Sequence, residues 1–226
     1  MAMAGDAEFP DLSAVPLFPL PNVVLFPKAV LPLHIFEERF RKMTADALAG
    51  DKRVAMALLR PGWEKSYYGR PAIEPIVCVG QIVSHEKLPD GKYNFLLQGQ
   101  LRAKIIREHG DRIYRIAELE PLLDTNGDEM ELMDDRGRLT GFFSQEAFES
   151  LPIVTQLQQL IASPLPTSDV ADVLAFNLID DIALKQSLLA ETNVKRRVSR
   201  IVSALEALCP MLQAVARRRS RTQSMN

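Results

Sequence analysis

Cysteine, histidine and tryptophan are scarce in this chain of 226 residues: it has two, three and one of them. Cys78 and Cys209 lie far apart with no partner motif, which leaves no disulfide framework and points to buried thiols in a reducing compartment. His34, His85 and His109 are scattered, and neither Cys-x-x-Cys nor His-x-x-x-His occurs. The usual metal-ligand spacings are missing, so neither a metal nor a cofactor is expected. Neither sign of charge is in excess, since 27 basic and 29 acidic residues give a formal net charge of −2. Such a balance supplies no global attraction to nucleic acid or anionic lipid. No apolar run approaches the ~20 residues of a membrane helix. No basic segment followed by an apolar one marks a secretory signal. The expected location is the cytoplasm, without membrane attachment. Finally, no G-x-x-x-x-G-K-[ST] loop is present to cradle nucleotide phosphates.

What is present is ordinary globular material, 47% hydrophobic and 25% charged, enough for one large domain or two small ones. Proline is the punctuation. Pro16, Pro19, Pro21, Pro27 and Pro32 divide residues 15–40 into short apolar runs. Proline fixes φ and donates no N–H, so it belongs at strand starts, edges and corners. The runs read as strands at Val15–Phe18, Val23–Phe26 and Ala29–Leu33, with Asn22 in a turn. The period then changes. Ile35, Phe36, Phe40, Met43 and Ala47 predict an amphipathic helix over 35–49 with that stripe in the core, stopped at Gly50. Further strands are expected at Arg53–Leu59, Ile76–Lys87, Tyr93–Gln98, Leu101–Arg107 and Ile113–Leu119. Gly80 suggests a bulge, Leu88-Pro89-Asp90-Gly91 a hairpin turn, and Gly99 a break between two strands. Between them, Pro61–Pro75 is a loop carrying Trp63, Tyr67 and Tyr68. Short strands, tight turns and one packed helix imply a small barrel.

Past residue 123 the pattern changes to helix. An acidic stretch, 124–135, reads as a linker. Leu139, Phe142, Phe143 and Phe148 form one stripe, and Ile153, Leu157, Leu160 and Ile161 a second. Val170, Val173, Leu174, Leu178 and Ile182 form a third, capped by Thr167 or Ser168. Val194, Val198, Ile201, Val202, Leu205 and Leu208 form a fourth, starting at Thr192 or Asn193. Four amphipathic helices imply a bundle. The expected organisation is α+β: a loose arm over 1–14, a β domain over 15–123, the linker over 124–135, a helical bundle over 136–212 and a basic flexible tail over 213–226.

The run Pro16-Leu17-Phe18-Pro19-Leu20-Pro21-Asn22-Val23-Val24-Leu25-Phe26-Pro27, continued by Leu31-Pro32-Leu33, resembles the start of the Lon protease N-terminal domain. Leu33-His34-Ile35-Phe36-Glu37 is more similar to stand-alone Lon-domain proteins than to the protease. Val79-Gly80-Gln81-Ile82, Leu88-Pro89-Asp90-Gly91, the run from Gln98 to Ala103, and Glu120-Pro121-Leu122 follow in that family's order. The stretch from Leu188 to Leu205 resembles its helical extension. The resemblance spans about residues 13–210 and implies a PUA-like β pseudo-barrel followed by a helical bundle. It implies the substrate-recognition portion alone, without the ATPase or protease parts. A chain of this kind would bind unfolded segments or partner proteins, in a groove between barrel and bundle or by strand addition at an open edge, and leave cleavage to a separate ATPase and protease.

No residue is assigned a catalytic role. Lys65-Ser66 is an adjacency in a loop without an oxyanion-hole motif. Cys78 and His85 share one predicted strand at an odd separation, on opposite faces and roughly 23 Å apart, unless a bulge flips one. The candidates for partner contact are Trp63, Tyr67 and Tyr68, because large rings with few rotors dominate binding hot spots, although they could equally close one end of the barrel. His34, at the strand-to-helix corner, reads as a capping or packing residue and joins them as a candidate contact. An exposed edge or helix face would also allow a homodimer. Two other classes compete. An RNA-binding PUA-like module would need a basic face, which the near-balanced charge disfavours. A hydrolase would need a hidden Cys or Ser nucleophile.

Overall fold

The computed structural model describes residues 10–110, 112–143 and 154–207. The chain divides into two compact units, residues 1–123 and 124–226.

The first unit is built on six strands: β1 Val15–Leu20, β2 Val30–Ile35, β3 Arg53–Leu58, β4 Ile76–Lys87, β5 Tyr93–His109 and β6 Arg115–Pro121. Five of them form a closed ring. β1 pairs β3 in parallel and β6 antiparallel, while β3–β4, β4–β5 and β5–β6 are antiparallel pairs. A small ring leaves little room inside, and the sequence meets that limit with short side chains. Ala55, Ala57, Ala103 and Ala117 interleave with Leu17, Val77, Val79 and Leu119 in its buried core. Among the described residues β2 lies outside the ring as an edge strand, paired only with β5, from Val30↔Gln98 to Ile35↔Tyr93.

Gly99 does not break a strand as expected; β5 runs through it for 17 residues. The glycine is there because another backbone crosses it. A Cβ at Gly99 would lie 2.0 Å from the Phe26 carbonyl oxygen. The crossing segment is held by Lys28 N–H to the Gly99 carbonyl (2.8 Å) and Gly99 N–H to the Ala29 carbonyl (2.9 Å). Val23–Phe26, expected as a strand, is therefore an irregular plug. Val24, Leu25 and Phe26 are buried, and Pro21 and Pro27 on either side deny it the donors of a ladder. Gly80 does mark a register shift, and a second lies between Ile82 and Ser84. The expected hairpin turn forms, with Gly91 at φ +78° and Asp90 Oδ1 accepting the Lys92 N–H.

Helix α1 spans Glu38–Ala49, shorter than predicted, and buries Phe40, Met43, Thr44 and Ala47. Ile35 ends β2 instead. Phe36, expected in the core, is 60% exposed, because it extends the outward side of β2 and not the inward face of the helix. A short 3₁₀ turn, Trp63–Ser66, begins the aromatic loop.

In the second unit the described helices are α2 Glu129–Phe143, α3 Val154–Ala162, α4 Thr167–Leu178, α5 Ile182–Leu189 and α6, residues 194–207. The stretch expected as a linker is helical from Glu129 onward. The predicted third stripe is two helices, because Asp181 caps α5 by accepting the Leu184 N–H at 2.9 Å. Neither Thr167 nor Ser168 caps α4. Its N-cap is Pro166, and the Thr167 N–H and hydroxyl both donate to the Glu129 carboxylate, at 2.7 and 2.6 Å. Asn193 opens α6, its Oδ1 accepting the Arg196 N–H. The α6 stripe Val194, Val198, Ile201, Val202 and Leu205 is buried as its spacing requires. Residues 1–9, Phe148, Pro152, Ile153, Leu208, Cys209 and the tail 213–226 lie outside the described residues.

Candidate functional site

Two surfaces of the first unit concentrate the sequence candidates. The first is assembled at the start of α1. Glu37 occupies the N-cap position, but its side chain caps no backbone N–H of the helix. Its carboxylate serves the aromatic loop instead. Tyr67 Oη donates to Glu37 Oε1 at 2.5 Å, and Arg39 Nε donates to Oε2 at 3.1 Å. Arg39 Nη1 also donates to the Tyr67 carbonyl at 3.0 Å. The guanidinium carbon sits 4.5 Å from the Phe40 ring centre and 4.6 Å from that of Tyr67, a cation held against two aromatic faces. Trp63 and Tyr68 meet Tyr67 edge-on, at 5.4 and 5.2 Å between centres. Burial, then the bond to Glu37, pushes the Tyr67 hydroxyl upward, so it keeps its proton and remains a donor. Trp63 and Tyr67 are half-buried, whereas Tyr68 is 90% exposed.

Beside this cluster lies a recess of about 50 Å³, with Arg39, Tyr67, Arg70, Arg112, Tyr114 and Arg115 in its wall. Arg115 is held by a two-point pair with Glu108 (2.7 and 2.6 Å) and by the Pro71 carbonyl (2.6 Å). Tyr114 Oη donates to Asp46 at 2.7 Å and accepts from Arg112 at 2.6 Å. The bond to Tyr114 raises the Arg112 guanidinium above its ordinary range, and bonds from Lys42 and then Tyr114 lower the Asp46 carboxyl.

The second surface is the outward side of β2 and its neighbours. Val30, Pro32 and His34 alternate outward, and Phe36 continues the line. Across the ladder Pro32 faces Leu96 and His34 faces Asn94. His34 Nδ1 is 2.7 Å from Asn94 Oδ1, and its ring stacks on Phe36 at 6.2 Å. Leu96 and Val83 add exposed apolar area. Here His34, Pro32, Leu96 and Glu86 border an open depression of about 410 Å³. The structure thus gathers Trp63, Tyr67 and Tyr68 in one cluster and places His34 in the other surface, as a ladder and stacking residue and not a cap.

Cys78 is wholly buried, while His85 lies on the exposed end of β4. Among the described residues no group of three or more His, Cys, Asp or Glu could hold a metal ion. No described helix is long and apolar enough to cross a membrane.

Residues 14–207 match the family described as the ATP-dependent protease La (LON) substrate-binding domain. The chain belongs to this family. Among its relatives, the Lon protease of Haemophilus influenzae is 28% identical over 213 residues, covering 92% of this chain and 26% of that protein. Lon protease 1 of Syntrophobacter fumaroxidans is 25% identical over 222 residues, again covering 26% of the relative. This LON domain therefore spans about a quarter of the length of the curated relatives it matches. Two solved structures share its fold. A Lon N-terminal domain protein from Xanthomonas campestris superposes with a TM-score of 0.62 at 23% identity, covering 84% of this chain and 98% of that one. The N-terminal domain of the Mycobacterium avium complex Lon protease does so at 0.61 and 17%, covering 86% and 98%.

Sequence reasoning missed the charged half of the LON domain's first surface. Glu37 and Arg39 fall between the stripe residues of the predicted helix. Arg70, Arg112 and Arg115 carry no motif. The one available signal was a carboxylate at a helix start followed two residues later by an arginine, beside an aromatic loop of unknown position.

Proposed function

We propose that this chain is a non-catalytic recognition module that binds unfolded polypeptide segments or partner proteins in the cytoplasm. Unfolding and cleavage would belong to a separate ATPase and protease. Family membership supports the class of role, and the closed ring with its appended strand is consistent with a PUA-like pseudo-barrel followed by a helical bundle. The observation that carries the binding mode is the edge of β2, which no other described strand pairs, flanked by the exposed stripe Val30, Pro32, His34 and Phe36 with Leu96 beside it. An extended segment can add to such an edge through backbone hydrogen bonds and seat alternate apolar side chains on the stripe. Pro32 has no N–H to offer, which limits the edge to partial pairing and lessens self-association.

The test is fluorescence anisotropy with a reduced, carboxymethylated and permanently unfolded polypeptide. Wild-type chain should bind it. Phe36→Ser and Leu96→Ser should each weaken binding about tenfold, the usual effect of removing a contact residue at the centre of an interface. Absence of binding, or equal binding by both variants, rejects the reading.

A further inference from the structure

The arginine-lined recess is set apart by how its cations are paired. Arg39 has Glu37, Arg115 has Glu108, and Arg112 shares Asp46 with Lys42. Arg70 has no carboxylate among the described residues. Its Nη1 and Nη2 donate only to the carbonyls of His109 (3.3 Å) and Gly110 (3.0 Å). Carbonyls orient a guanidinium without cancelling its charge. Among the described residues Arg112 bonds through Nη1 alone, to Asp46 and Tyr114, which leaves its other nitrogens available there. Two fixed guanidinium groups with donors to spare therefore border one small recess.

Size and rim narrow the ligand. The recess holds about 50 Å³, room for a group of a few heavy atoms such as a carboxylate. Phe40 and Tyr67 wall it, and Tyr68 and Ile113, 90% and 63% exposed, also line it. An anion entering it would be joined closely to an apolar body resting on those two exposed side chains. In a polypeptide, the C-terminal residue has this form, because its carboxylate and side chain leave the same carbon.

We propose that this recess binds the free C-terminal carboxylate of a polypeptide whose last residue is apolar. Arg70 and Arg112 would take the carboxylate, and Tyr68 and Ile113 the side chain. This rests on the reading that the chain binds polypeptides, and adds that it distinguishes an exposed chain end from an internal segment.

The experiment compares two fluorescein-labelled decapeptides of the same uncharged sequence ending in Leu, one with a free carboxylate and one amidated, on the full chain. Charge-assisted hydrogen bonds predict roughly ten- to hundred-fold tighter binding of the free acid. Arg70→Gln, at an exposed side chain, should abolish that preference while leaving the thermal midpoint unchanged. Tyr68→Ser should weaken the free acid and spare the amide. Equal binding of acid and amide overturns the carboxylate site and leaves the polypeptide reading intact. A preference for the acid that survives Arg70→Gln places the carboxylate elsewhere and also overturns it. Displacement of the free-acid peptide by millimolar inorganic phosphate, with no acid-over-amide preference, would make the recess a phosphate site instead. If neither peptide nor the unfolded polypeptide binds, both readings fall.

Discussion

At Gly99 a methyl group would sit 2.0 Å from the Phe26 carbonyl oxygen and 3.1 Å from Cys78 Sγ. The first neighbour is backbone and cannot swing aside. Gly99→Ala should cost about 3 kcal/mol in urea unfolding, the upper end of ordinary overpacking. Gly137 is the contrasting case. It is exposed within α2, and a Cβ there would meet nothing within 4 Å. Gly137→Ala should stabilise the chain by about 0.5–1 kcal/mol through helix propensity, read as a higher unfolding midpoint. Only the neighbours distinguish the two glycines, and the backbone that crowds Gly99, at Phe26, lies some seventy positions away in sequence. Asp46 is a third residue whose role is tertiary. Lys42 Nζ and Tyr114 Oη both reach it at 2.7 Å, and they hold its carboxyl below the ordinary aspartate range. A carboxyl lowered on folding contributes stability that is complete above the unfolded value, about 4, and lost as pH falls through the folded one. Asp46→Asn should therefore be less stable than wild type at pH 7, with the gap closing below about pH 4. Urea titrations across that range check it.

Among the elements, α6 was legible by period alone, yet the reason it stays in place was not. Arg197, inside the basic-looking run Lys195-Arg196-Arg197, is wholly buried. It pairs with both oxygens of Asp124 (3.0 and 2.6 Å), donates to the Glu191 carbonyl (2.7 Å), and lies 3.2 Å from Asp172 of α4. Burial opposes its charge, but Asp172 and Asp124 outweigh that and keep the guanidinium above its ordinary range. Arg197→Met should destabilise by about 3–5 kcal/mol, because it strands a buried carboxylate. Adding Asp172→Asn should recover part of the loss, and a double-mutant cycle by chemical unfolding measures how much. Arg136 does similar work by donating to the carbonyls of Ile161, Ser163 and Leu165 at the end of α3. Composition marks such arginines as surface charges. The burial of Arg197 and the half-burial of Arg136 follow from carboxylates and carbonyls that the fold brings to them. Strands were easier to place: β4 has the bounds read from the sequence, since Pro75 precedes it and a hairpin turn ends it, and its first half is buried while its last five residues are exposed.

On the scale of the whole molecule, the ring closes between residues 15 and 121, and its core cluster is drawn entirely from residues 12–119. A fragment of residues 10–123 should therefore fold alone, with a cooperative thermal transition and slow hydrogen exchange in β3, β4 and β5. A fragment without a transition would show that the ring needs residues past 123. The family to which the chain belongs was readable from its ordered motifs, which mix turn residues such as Leu88-Pro89-Asp90-Gly91 with strand segments such as Val79–Ile82 and Gln98–Ala103. The candidate surfaces were readable only in part. Trp63, Tyr67 and Tyr68 stand out by ring size, but nothing local says that Glu37 and Arg39 hold them or that four arginines share a recess.

By itself the sequence determined the strand-then-helix order, the turn at Pro89-Asp90-Gly91 and the buried stripe of α6, since these depend on periods and φ preferences within a few residues. Only the tertiary structure decided that Gly99 is crossed by another backbone, that Phe36 faces outward, and that Arg70 has carbonyls where its neighbours have carboxylates. Each of those depends on which distant groups come within a few ångströms, and local preference carries no information about that.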